Sequence, residues 1–217
     1  MRYFTIERSA ERDALLEALL PLVAEHGFTR AAARLAAKQA GMDEADAAML
    51  FPGGPAELVE AWSDLADRHM QDGAQNLDFT GQRAPDRVRA VIALRFEQQR
   101  AHKDAVRRAL AVLAFPGNAA AATRVTARTV NAIWYAAGDS AVDFSWYTKR
   151  ATLAGVYGAT LLAWLRDPAE DDRATLEFLD RRLAGVGRIG AVRRRLEERL
   201  ETVLGRLRPN HSGSGAS

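Results

Sequence analysis

The sequence predicts an all-α protein, and three observations carry that prediction. Apolar residues recur at spacings of three and four along nearly all of the 217 residues, β-branched alternation over a strand's length is absent, and glycine and proline fall where helices should stop and start. A first helix is predicted near 9–26, stopped by Gly27, and a second near 29–40, ended at Ala40-Gly41. The third, 43–50, runs into the Pro52–Pro55 turn, from which a fourth extends over 54–72. Pro85 suits the first turn of a helix at 84–103; another over 104–115 stops at "FPGN", and the next spans 118–137. Ser140 and Asp143 form a capping pair for a helix over 140–166, and the last two helices are expected over 170–184 and 188–207. These elements group into a three-helix unit (1–52), a larger helical domain (53–185), an amphipathic helix (186–208) and a disordered tail (209–217).

Composition narrows the function. The chain has no cysteine, so disulfides, thiolate catalysis and cysteine-ligated metal centres are excluded, and a reducing cytoplasm is expected. The N-terminus meets charge within two residues and lacks the apolar core of a signal peptide, and no apolar window reaches the ~20 residues of a membrane span. The four histidines are scattered, no Glu-x-x-His pair exists for a di-iron bundle site, and no hydroxyl nucleophile is grouped with a histidine and a carboxylate, so neither a metal nor a catalytic group is expected. "GVGRIG" at 185–190 has the spacing of a dinucleotide fingerprint but follows a helical segment instead of a strand. The net charge is only +2, yet residues 181–208 hold nine arginines against three glutamates, which suits an anionic partner for that end.

The N-terminal grammar, "EHGFTRAAARLAAKQAGMDEADAAMLFPGGP", resembles the helix-turn-helix domain of TetR transcription regulators. The third helix, however, starts Met42, Asp43, Glu44, Ala45, Asp46, and three carboxylates there face the phosphates whose neutralisation drives DNA binding. DNA is therefore not an expected partner, although Arg30, Arg34 and Lys38 on the preceding helix offer some compensation.

The stretch "WYAAGDSAVDFSWYTKRATLAGVY" is more specific. Trp134, Ala137, Gly138, Asp139, Asp143, Phe144, Trp146, Tyr147, Thr148, Lys149 and Arg150 resemble the signature of the TetR-like accessory proteins of ubiquinone (coenzyme Q) biosynthesis. The resemblance extends through "RALAVLAFPGN" (108–118), "EFLDRRL" (177–183) and "EHGFT". It implies a non-catalytic protein without a cofactor that holds an isoprenoid lipid or quinone intermediate in an apolar pocket. Such a protein would present that lipid to a separate di-iron demethoxyubiquinone hydroxylase, dock on the cytoplasmic membrane of a bacterium and dimerise through its late helices.

The residues themselves leave choices open. Along 140–166, Trp146, Val156, Tyr157, Thr160, Leu161 and Trp164 stand beside small residues, and with Leu110 and Leu113 they form the expected lipid pocket; dense packing of rings against close helices fits the same pattern. Val130, Ile133, Trp134 and Tyr135, near Arg124 and Arg128, are the expected partner-binding residues by resemblance, while spacing alone allows Trp134 to be core. Ile189, Val192, Leu196, Leu200, Val203 and Leu207 make one apolar stripe flanked by Arg193, Arg195 and Arg199. That is the pattern of a helix lying on anionic lipid, and equally of a helix packed on the body or in a coiled coil. A ligand-responsive TetR regulator is the alternative function, and an enzyme for a small apolar substrate is a third.

Overall fold

The computed structural model describes residues 6–138, 146–169 and 171–185, and every regular element among them is a helix. α1 (Ala10–His26) is opened by Ser9, whose hydroxyl accepts from the Arg12 amide at 3.2 Å; α2 (Arg30–Gln39) is opened by Thr29, which accepts from the Ala32 amide at 3.1 Å. Gly27, at φ 65°, occupies the left-handed region that lets the chain turn between them. α3 (Glu44–Leu50) begins with a reciprocal cap. The Asp43 carboxylate accepts from the Ala45 amide at 2.9 Å, and the Asp46 carboxylate accepts from the Asp43 amide at 3.3 Å. The acidic cluster thus has a local cause, because carboxylates suit the positive end of a helix.

α4 (Pro55–Ala74) starts on a proline, as does α5 (Ala84–Gln99) within its first turn. The helix expected over 84–103 is shorter: a 3-10 turn at Arg100–His102 bends the chain into α6 (Lys103–Leu113). That corner is held from a distance, since Arg100 and Lys103 reach the buried Asp172 carboxylate at 3.1 and 3.3 Å. A second 3-10 turn, Pro116–Asn118, leads into α7 (Ala119–Ala136), followed by α8 (Trp146–Arg166) and a helical run over 173–185. The Ser140–Asp143 cap, the helix at 188–207 and the tail lie outside the described residues.

Two apolar clusters meet along α4. The first joins α1, α2, Phe28 and Phe51 to Leu58, Val59, Trp62 and Leu65 of α4 and to Ala105 and Ala109 of α6, so it runs straight across residue 52. The second joins Met70 and Ala74 to Val88, Val91, Ile92 and Phe96 of α5, to Val130 and Ile133 of α7, and to Leu153, Val156 and Trp164 of α8. Their meeting place is where the site forms.

Candidate functional site

Where the two clusters meet, five helices enclose a cavity of about 300 Å³. α4 contributes Val59, Trp62, Ser63 and Ala66, α5 Arg95, Phe96 and Gln99, α6 Val106, Leu110 and Leu113, α7 Thr126 and Thr129, and α8 Tyr157, Gly158, Leu161 and Trp164. Three rings form a ladder on one wall: Phe96 stacks on Trp164 at 5.0 Å and on Tyr157 at 6.0 Å, each within 12° of parallel. The volume falls at the low end for ligand pockets, and the lining is mostly apolar with a few convergent polar groups.

Those polar groups belong to a buried network. Thr129 donates to Asp67 at 3.0 Å, the Ser63 and Thr129 hydroxyls lie 3.5 Å apart, Arg95 Nη1 sits 2.7 Å from Asp67, and Arg95 Nε donates to the Tyr157 hydroxyl at 3.3 Å. Burial pushes the Asp67 carboxyl up to about 6, opposed chiefly by Arg95. Burial works to lower the Arg95 guanidinium, but Asp67 and Tyr157 outweigh it and hold it above its ordinary value.

Of the residues expected in a pocket, Leu110, Leu113, Tyr157, Leu161 and Trp164 line this cavity. Val156 and Thr160 do not: both are buried one helix face away, and the Thr160 hydroxyl donates to the Val156 carbonyl at 2.7 Å. The side chain of Trp146 lies outside the described residues. Sequence reasoning missed Ser63, Asp67, Arg95, Phe96, Gln99 and Thr129, and the only local trace is the polar pair Ser63 and Asp67, one turn apart on a stretch of α4 buried on every side.

The expected partner surface is corrected more sharply. Val130 and Ile133 are 1% and 0% exposed in the second cluster and cannot face a partner. Trp134 packs half-buried against that cluster, whereas Tyr135 is 73% exposed. Arg124 and Arg128 are turned inward, donating to Glu60 of α4 at 3.0 and 2.9 Å. After α7, Gly138 takes φ 76°, with Arg87 placed where a side chain would go. All the expected membrane-binding residues, Ile189 through Leu207, lie outside the described residues.

No helix among the described residues is long and apolar enough to cross a membrane, and no group of three or more metal-ligating side chains occurs among them. In the helix-turn-helix, Arg30 of α2 donates to the Pro52 carbonyl at 3.1 Å, and α3 leads with Asp43, Glu44 and Asp46.

The fold is TetR-like. The structure of a TetR transcriptional regulator from Nitrosomonas europaea is similar at a TM-score of 0.64 with 23% identity, covering 81% of this chain and 97% of that one. The family described as COQ9 matches residues 119–190, which include the Trp134–Arg150 run. Curated proteins similar to this chain carry the same name. The mitochondrial ubiquinone biosynthesis protein COQ9 of Rattus norvegicus is 29% identical over 88% of this chain and 63% of its own length, and that of Drosophila melanogaster is 32% identical over 80% and 54%. The protein of that name from Schizosaccharomyces pombe is 29% identical over 83% of this chain and 72% of its own length. The chain therefore spans less than two thirds of the rat and fly relatives.

Proposed function

Because this chain is similar to COQ9 proteins along most of its length, we propose that it serves ubiquinone biosynthesis as a lipid-binding accessory protein, without performing the chemistry itself. The cavity is the observation that carries the reading: about 300 Å³ of largely apolar space among the helices of a TetR-like fold. An isoprenoid or quinone intermediate is the natural occupant, since Leu110, Leu113 and Leu161 offer hydrocarbon contact and the stacked rings a flat wall. The protein would then present this lipid to the di-iron demethoxyubiquinone hydroxylase. It would act as a homodimer on the inner face of the cytoplasmic membrane, with the arginine-rich segment 181–208 drawn to anionic headgroups. The acidic start of α3 supports a scaffold role for the helix-turn-helix over DNA reading.

Native mass spectrometry of the purified protein, followed by organic extraction, tests the central point. Co-purification of an isoprenoid, quinone or phospholipid is expected, and a bare protein that also fails to take up added isoprenoid would overturn the reading. The partner surface has its own test. Tyr135→Ala should weaken capture of the hydroxylase about tenfold with an unchanged melting temperature, because the ring is exposed and supports nothing beneath it. Full-strength capture, measured by biolayer interferometry, would remove Tyr135 from the interface. Trp134→Ala is the contrasting case: it should also lower the melting temperature, since that ring packs on the core.

A further inference from the structure

Three residues that line the cavity carry buried polar atoms with no hydrogen-bond partner among the described residues: Arg95 Nη1, Gln99 Oε1 and Trp164 Nε1. Trp164 is 0% exposed and Arg95 7%, so bulk solvent does not serve their donors. Native proteins rarely bury polar atoms unpaired, and several of them on the residues of one cavity wall offer a ligand's own polar group the partners it needs. The set has a definite character. Two of the atoms are donors and one is an acceptor, and a hydroxyl group complements both kinds at once.

The charge balance narrows the choice further. Arg95 Nη1 lies 2.7 Å from Asp67 Oδ1 without the alignment of a hydrogen bond, so the guanidinium is already neutralised while its N–H remains available. A carboxylate head would bring a second negative charge beside buried Asp67. Plain hydrocarbon would leave all three atoms unpaired. Position agrees: Gln99, Trp62 and Ala66 also line a second cleft whose wall includes Glu17, His69, Asp72 and His102. Gln99 therefore stands between the apolar cavity and a polar cleft, at the end where a polar head belongs.

We propose that the cavity selects lipids ending in a neutral hydroxyl, an isoprenoid alcohol or phenol, whose oxygen is seated by Gln99, Trp164 and Arg95. The inference rests on the lipid reading above, and three probes sharing one tail separate the two. Isothermal titration of the full chain with farnesol, farnesene and farnesoic acid should show farnesol binding about tenfold more tightly than either of the others. Gln99→Leu and Trp164→Phe should each erase that preference, read within each variant as the ratio of farnesol to farnesene affinity; Gln99 is only partly buried and Phe keeps a ring beside Phe96, so both variants should fold. Equal affinity for farnesol and farnesene, tighter binding of the acid, or a preference that survives in both variants would overturn the proposal while leaving a lipid cavity in place. If none of the three binds, the lipid reading falls as well.

Discussion

Replacing Arg95 by methionine should cost the fold about 3–5 kcal/mol at pH 7, the expected loss when one partner of a buried ion pair is removed and the other loses its counter-charge. Asp67 is 5% exposed, and its remaining protein partner in the network would be the Thr129 hydroxyl. The pH dependence of the loss identifies its cause. In the native protein the Asp67 carboxyl lies at about 6, above its ordinary 3.8, so the folded state holds a proton that the unfolded chain releases. This group's share of stability therefore falls as pH rises through that window, and removing Arg95 moves the folded value further up. Urea denaturation of Arg95→Met should accordingly show a smaller deficit at pH 5 than at pH 7, and Asp67→Leu in the same chain should restore most of it. An equal deficit at both pH values would mean that lost packing, and not the stranded carboxylate, is responsible.

Gly158→Leu should nearly abolish lipid uptake while making the protein more stable, a combination that misfolding cannot produce. Gly158 lines the cavity in the interior of α8, and a Cβ built there meets no atom within 4 Å. A leucine would fill space a ligand needs, and replacing glycine in a helix interior should add roughly 0.5–1 kcal/mol. Gly155, also free of contacts at the Cβ position but not on the cavity wall, is the control: Gly155→Ala should give the stability gain with lipid binding intact. Undiminished uptake by Gly158→Leu would show that lipid binds elsewhere.

What the sequence disclosed follows the reach of the forces involved. Helix starts are local, so the start at Thr29 and the proline start at 85 were legible at once, whereas Pro55 read as part of the turn that ends α3 and is also the first residue of α4. The end of α5 was not, because the bend at Arg100 is secured by Asp172, which lies 72 residues away in sequence. Helical spacing brought out Tyr157, Leu161 and Trp164 as one stripe, but it could not say that Val156 and Thr160, about 100° round the helix, point into packing instead. On α7 the same limit placed Val130 and Ile133 with Tyr135, and only contact with α5 and α8 shows which of them face inward. The polar members of the cavity were least legible. Arginine and aspartate in a helix read as surface, and Arg95 and Asp67 become a buried pair only when α4, α5 and α7 converge.

Val59, Trp62 and Ala109 each belong both to the N-terminal apolar cluster and to the cavity wall. Occupancy of the cavity and integrity of the first three helices are therefore linked variables: a ligand that binds only the closed wall adds RT ln(1 + [L]/Kd) to the stability of whatever must open with it. Amide protons of α1 and α2 should exchange more slowly when the cavity is filled, although no atom of the ligand comes near them. In a regulator that linkage would carry a signal to an operator. With a lipid in the cavity, it would make the helix-turn-helix unit a clamp, cargo and clamp holding each other shut.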